Sequence, residues 1–331
     1  MKIPQLKKKP ELKSCHNITW EDDYSWIHQK NILEVLKDSS KLLPEVRKYL
    51  EDENNYFNHQ MSDTKEIQKV LFDEIKGRIK LDDESLPFKD VRYNYWTKTT
   101  TKGNYSIKLR KKIDSEEIEE IWNGDVEKEK LNTEYFGLGD LEVSYNDKLL
   151  AYSLDLKGSE YYTIHIRDIN SKKIIGEKIE NTSGGITFSL DDKYIFYSKL
   201  DDNHRPKEIY RHEIGNPTSK DMLIFKEESE AFTVGIGLSS DEKYFFITSS
   251  DHNTSEQYYF KADEISPKPK LIDKRKRGII YSVNSWNGNF YKHTNEGAED
   301  FKIEKTNDLE KKNWETFIAA REEVLIGGLI F

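Results

Sequence analysis

The side chains able to do chemistry are plentiful in this sequence but poorly gathered. Eight histidines stand at His16, His28, His59, His165, His204, His212, His252 and His293. A metal centre needs three or four converging ligands, usually with two of them a few positions apart. No two histidines stand so close, and no metal site is expected. His204 and His212 are expected to flank one hairpin, and His252 and His293 to sit in matching turns. Carboxylates come in runs, at Asp82-Asp83-Glu84, Asp191-Asp192 and Asp201-Asp202. Two carboxylates facing each other across a pocket can hydrolyse a glycosidic bond. These runs fall among turn residues, where Asp bonds its own backbone, so no carboxylate catalyst is expected. A serine nucleophile on a strand-to-helix elbow needs G-x-S-x-G, whose glycines let the backbone turn tightly and expose the hydroxyl. That pattern does not occur, and Gly184-Gly185 leads into Ile186-Thr187. Cys15 has no helix start or paired histidine to activate its thiol and is expected to be inert. The sequence thus offers no catalytic residue, no cofactor-binding residue and no metal ligand, and no cofactor is expected.

The densest basic run is Lys274-Arg275-Lys276-Arg277. Such a run can contact nucleic acid or an acidic partner. It lies between two strand-rich stretches and ends at Gly278, so it reads as a solvated connector. Lys7-Lys8-Lys9 reads as part of a mobile end.

Composition narrows the classes. The chain has 331 residues, with Lys plus Arg at 52 and Asp plus Glu at 61, for a formal net charge of −9. That balance argues against a general nucleic-acid binder and suits a basic substrate or partner. Charged residues reach 34%, yet aromatics reach 12%, more than a disordered chain carries. No stretch of about 18 apolar residues is present, so no membrane-spanning helix is expected. The opening MKIPQLKKKPELKSC has no apolar core after its lysines and does not read as a secretory signal. One cysteine cannot form an internal disulfide, which fits a cytoplasmic location.

The elements that must position any site change character near residue 80. Residues 1–80 read as a helical arm. Pro44 suits a first helical position, and Val46, Tyr49, Leu50, Phe57 and Met61 then recur at helical spacing. Asp63 and Glu66 are spaced as a capping box for a second helix. Ile67, Val70, Leu71 and Ile75 form its stripe, and Gly77 its left-handed stop. A shorter helix is expected around Ile32 to Lys37. After Pro87 come short aromatic-rich runs broken by Gly, Asn and Asp, such as Tyr93–Thr99, Ser106–Lys111, Leu149–Ser153 and Tyr194–Ser198. These are strand signals, with Gly103-Asn104 as a tight turn. Around Leu309–Arg321 only a short helix or turn is expected.

Two markers repeat through residues 81–331. Polar turns at Tyr145-Asn146-Asp147-Lys148, Leu190-Asp191-Asp192-Lys193 and Asp241-Glu242-Lys243 place lysines 45 and 50 residues apart, with Asn287-Gly288-Asn289 as a looser fourth. A second marker ends in Tyr162, Ile209, Tyr258 and Phe301, spaced 47, 49 and 43 residues apart. A strand-only repeat of roughly 40–50 residues is the pattern of four-stranded propeller blades. A single blade cannot cover both of its faces, so blades stack face to face. The expected fold is mainly β: a partial β-propeller of about five blades and the opening of a sixth, preceded by the helical arm.

The same residues carry a resemblance. Asp22-Asp23-Tyr24-Ser25-Trp26 and Tyr49-Leu50-Glu51-Asp52-Glu53-Asn54 resemble helical-arm motifs of the prolyl oligopeptidase family of serine peptidases. Arg78-Ile79-Lys80-Leu81-Asp82-Asp83-Glu84-Ser85, Gly158-Ser159-Glu160, Thr182-Ser183-Gly184-Gly185, Asp202-Asn203-His204-Arg205-Pro206, Thr254-Ser255-Glu256 and Thr294-Asn295-Glu296-Gly297-Ala298-Glu299 resemble further, more specific stretches of that family. As an ordered set they resemble the oligopeptidase B branch, from about residue 20 to 331. The resemblance implies a seven-bladed propeller joined to an α/β-hydrolase domain in a serine peptidase. The propeller would limit access to short peptides, and cleavage would follow Lys or Arg.

The Ser-Asp-His machinery of that family lies in the hydrolase domain, beyond the propeller. No residue here matches it, so no catalytic role carries over. The chain, ending on the apolar Val324–Phe331, reads as an N-terminal fragment that is inactive alone, with the C-terminal hydrolase domain absent. Expected partners are short basic peptides in the full form and a separately encoded hydrolase half, with no nucleic acid and no membrane. Alternatives are an interaction scaffold, a split-enzyme half restored by such a partner, and an unrelated propeller hydrolase.

Overall fold

A computed structural model describes residues 1–264 and 266–331. It divides into two compact units, Met1–Asn132 and Thr133–Phe331. The helix-to-strand change near residue 80 falls inside the first.

The first unit opens with the hairpin β1 (Glu11–Cys15) and β2 (Ile18–Asp22). Helices α1 (Ile32–Lys37), α2 (Pro44–Gln60) and α3 (Lys65–Gly77) follow. Pro44 takes the first turn of α2, as its missing N–H allows. The capping box does not form. Ser62–Thr64 make a 3₁₀ turn instead, in which the Thr64 hydroxyl donates to Met61 O at 2.7 Å. No side chain among the described residues caps the start of α3. Nor is Gly77 a left-handed stop: α3 runs through it and ends at Arg78 with φ −84°. The Ile67, Val70, Leu71 and Ile75 stripe is exposed.

Strands β3 (Asp83–Glu84), β4 (Phe88–Asp90), β5 (Tyr93–Thr99), β6 (Ile107–Lys112) and β7 (Ile118–Asn123) form one antiparallel sheet. Asp125 fixes the Gly103-Asn104 turn by accepting from Asn104 N at 3.0 Å and Tyr105 N at 3.3 Å. Asp125 lies on α4 (Gly124–Leu131), a helix the strand pattern did not anticipate. Asn123 caps it by accepting from Val126 N, and left-handed Asn132 (φ 48°) stops it.

The second unit is a succession of antiparallel meanders. Strands β8 (Gly137–Val143), β9 (Leu149–Asp155), β10 (Tyr162–Asp168), β11 (Ile179–Phe188), β12 (Tyr194–Leu200), β13 (Pro206–Glu213) and β14 (Met222–Lys226) pair in sequence order. β11 is shared. Its start pairs with β10, and from Thr182 onward, across a register shift between Thr182 and Ile186, it pairs with β12. Two four-stranded sheets follow. One is β15 (Thr233–Leu238), β16 (Tyr244–Ser250), β17 (Ser255–Lys261) and β18 (Lys270–Leu271). The other is β19 (Tyr281–Trp286), β20 (Asn289–Thr294), β21 (Lys302–Thr306) and β22 (Glu315–Ile318). The turn expected near Leu309–Arg321 forms at residues 309–312, and β22 follows it where no strand was expected.

Alternation of side chains across a strand explains the core. On β12, Ile195 and Tyr197 join Ala151, Ile164 and Ile186, while Phe196 points the other way to Phe245 and Phe260. On β16, Phe245 and Ile247 belong to that second core, and Phe246 joins Tyr281, Val283 and Phe290 in a third. β12 and β16 are thus each buried on both faces, as face-to-face stacking of sheets requires. The protein is mainly β, with the curled sheets of a propeller.

Candidate functional site

The repeated turns show how this sequence builds its sheets. A serine opens each of three turns, and its hydroxyl accepts the amide that starts the next strand. Ser144 accepts from Leu149 N at 2.9 Å, Ser189 from Tyr194 N at 3.0 Å and Ser239 from Tyr244 N at 3.0 Å. Asp147, Asp192 and Glu242 take the left-handed conformation, with φ 58–60°. Asp192 also reaches the preceding turn, accepting from Tyr145 N at 2.7 Å and Asn146 N at 2.8 Å. Burial raises its carboxyl above the usual range, more than those two amides lower it.

The other acidic runs serve the backbone too. Asp82 accepts from Thr101 N at 2.9 Å, and Asp83 and Glu84 pair with Lys80 and Lys98. Asp201 accepts from Asn203 N at 2.8 Å and Arg205 N at 2.9 Å. The histidines are dispersed. His204 precedes β13 and His212 lies within it, so one strand, not a hairpin, separates them. His252 lies in a loop, but His293 lies in β20 and not in a turn. Among the described residues no cluster of His, Cys, Asp and Glu could hold a metal ion. Cys15 is exposed.

The strongest concentration of buried charge arises where the sequence promised a solvated connector. The basic run is not simply solvated. Arg275 lies against two carboxylates, Glu227 just after β14 and Glu256 on β17, whose side chains are only 4% and 6% exposed. One guanidinium nitrogen, Nη2, stands 2.6 Å from Glu227 Oε2 and 2.6 Å from Glu256 Oε1. The Arg275 backbone N–H donates to Glu256 Oε2 at 3.0 Å. The guanidinium also lies 3.9 Å from the Phe232 ring centroid, close enough for a cation–π contact.

Among the described residues each carboxylate accepts three hydrogen bonds. Ser249 Oγ donates to Glu227 Oε2, and Ser229 N donates to Glu227 Oε1 at 2.7 Å. Tyr258 OH donates to Glu256 Oε1 at 2.9 Å. Burial would raise the Glu227 carboxyl, but Ser249, Ser229 and Arg275 hold it below the usual range. Burial likewise opposes ionised Glu256, and Arg275 outweighs it. Burial and the neighbouring Glu256 push the Tyr258 phenol up to about 12. Lys207 Nζ clamps the same loop by donating to the carbonyls of Ser229 and Phe232. Ser249 is fully buried. The chemistry of the cluster is positional: it fixes the loop after β14 and the connector before β19 to β17.

A second buried set, His212, Asp221 and Tyr197, was not legible in the sequence. His212 Nδ1 lies 2.7 Å from Asp221 Oδ1, and Tyr197 OH donates to Asp221 Oδ2 at 2.8 Å. A histidine oriented by a carboxylate is part of a hydrolytic triad, but His212 is 1% exposed and closed to substrate. Alternating strand residues could have suggested that Tyr197 and His212 face the same side, but not that Asp221 joins them.

Comparison with known proteins agrees with this architecture. The family model described as "Prolyl oligopeptidase, N-terminal beta-propeller domain" matches residues 4–329. The chain is 28% identical over 321 residues to Protease 2 of Moraxella lacunata, covering 94% of this chain and 45% of that protein. It is 29% identical over 345 residues to dipeptidyl aminopeptidase BI of Pseudoxanthomonas mexicana, covering 98% and 46%. In fold it is similar to oligopeptidase B from Leishmania major, with a TM-score of 0.85 at 22% identity, covering 95% of this chain and 46% of that one. The chain spans about half the length of the curated relatives it matches. It belongs to the prolyl oligopeptidase family, through the N-terminal β-propeller domain of that family.

Proposed function

We propose that this propeller is the substrate-gating region of an oligopeptidase B-like serine peptidase that cleaves short peptides after Lys or Arg. Chemistry in that reading belongs to a hydrolase domain, joined to the propeller or supplied by a separate chain. The observation that carries the reading is the match of the propeller-domain model across residues 4–329. The likeness to Protease 2 supports it. So does the net charge of −9, which favours a basic substrate over an acidic one. The lack of G-x-S-x-G in these residues accords with a gating part that does not itself form the acyl-enzyme.

The test is hydrolysis of a Lys or Arg reporter peptide. The 331-residue chain alone is expected to give none, and addition of a hydrolase half from a relative is expected to restore it. Hydrolysis by the purified chain alone, abolished by a serine-directed inhibitor, would overturn the proposal.

A further inference from the structure

Arg275 is absorbed by the two buried glutamates, but the lysines on either side of it are not. Lys274 and Lys276 line a separate cavity of about 260 Å³, together with Lys292 of β20, Lys312 and the Trp314 ring. Tyr281 of β19 forms part of its wall. Lys292 makes this more than a set of surface lysines. It is 5% exposed, with its ammonium 4.4 Å from the Trp314 ring centroid. Trp314 Nε1 is itself buried and has no hydrogen-bond partner among the described residues.

The local charge is cationic. Lys292 pairs with Glu304 at 2.8 Å and Asp273 at 3.4 Å, and Lys302 shares Glu304 at 2.8 Å. Lys312 stands 3.7 Å from Asp273, and Lys276 pairs with Glu296. Lys274 makes no ion pair among the described residues. The lining itself brings four ammonium groups, those of Lys274, Lys276, Lys292 and Lys312, against two carboxylates, Asp273 and Glu296. The Lys276–Glu296 pair is exposed and the Lys312 contact is long, so neither holds its lysine strongly. An ammonium is a compact point charge with three rotatable donors and suits a tetrahedral oxyanion.

We propose that this cavity binds a small phosphate-type anion. Lys274, Lys276 and Lys312 close on it from the rim, Lys292 supplies fixed positive charge from the floor, and Trp314 provides a flat wall. The site is independent of the peptidase reading.

The experiment is calorimetric titration of the full 331-residue chain with inorganic pyrophosphate at low salt, with Trp fluorescence as a second readout. Saturable one-to-one binding that weakens as sodium chloride is raised is expected. K274Q/K312Q removes two exposed lysines and is expected to weaken binding roughly five- to thirtyfold. E296Q releases Lys276 and is expected to tighten binding about threefold, a gain that damaged folding would not produce. Absence of saturation below millimolar pyrophosphate, or equal binding by the parent and K274Q/K312Q, would overturn the proposal.

Discussion

Replacing Arg275 by methionine tests the reading of the buried charge cluster. Methionine keeps most of the stem length, so the change removes charge and hydrogen bonding more than volume. Glu227 and Glu256 then keep their buried positions and lose the cation that both share. Breaking a buried ion pair by removing one partner costs about 3–5 kcal/mol. Arg275 is 28% exposed, so water can partly replace it, and the lower end, about 3 kcal/mol, is expected at pH 7. With a urea slope of about 2–3 kcal/mol per molar, the midpoint should fall by roughly 1–1.5 M.

The loss should depend on pH. Both glutamates are held below their usual range in the folded protein. Their contribution is therefore present above the unfolded carboxyl pKa and lost as pH falls through the folded values. In R275M that contribution is missing, so the gap between parent and variant should be full at neutral pH and shrink in acid. E227Q/E256Q/R275M should recover much of the lost stability, because no buried charge is left uncompensated. A parent–R275M difference under about 1 kcal/mol at pH 7, or one that widens in acid, would refute the cluster as described.

Two further substitutions test smaller features. Tyr281 OH accepts from Gln257 N at 2.8 Å and Asp273 N at 3.1 Å and donates to Asp273 O at 2.6 Å, so Tyr281→Phe should cost about 2 kcal/mol in thermal or urea unfolding. Asp192→Ala removes both bonds to the preceding turn and should cost about 1–2 kcal/mol, with faster hydrogen exchange at the amides of Tyr145 and Asn146.

The repeated fold was legible because its turns need particular residues. Left-handed positions favour Asp, Asn and Gly, and the polar turn before each aromatic strand set the period in plain view. The serines of those turns are equally regular but carry no signal alone, since a serine is common in any loop. Helix α4 escaped the pattern for a different reason. Its eight residues, Gly-Asp-Val-Glu-Lys-Glu-Lys-Leu, carry little apolar periodicity, and it is secured by Asn123 and Asn132 at its ends. The Asp63–Glu66 spacing was a sound local signal, but the chain satisfied its backbone with a 3₁₀ turn. Arg275 shows the general limit. Its carboxylate partners lie 48 and 19 positions away, and nothing local distinguishes it from its neighbours in the basic run. That run could be read as charge, but not as charge divided between a buried cluster and a cavity.

Four consecutive basic residues form the stretch most inviting to a trypsin-like enzyme. Cleavage requires a segment to leave its fold and lie extended in a foreign cleft. Here the backbone N–H groups are held at four points within and beside the run. Ile272 N donates to Gln257 O, Asp273 N to Tyr281 OH, Arg275 N to Glu256 and Gly278 N to Thr254 Oγ1. The Arg275 side chain, which would have to enter a specificity pocket, already lies between two carboxylates. Arg275, which looks like a nicking site in sequence, is thereby shielded from digestion for as long as its sheets stay folded.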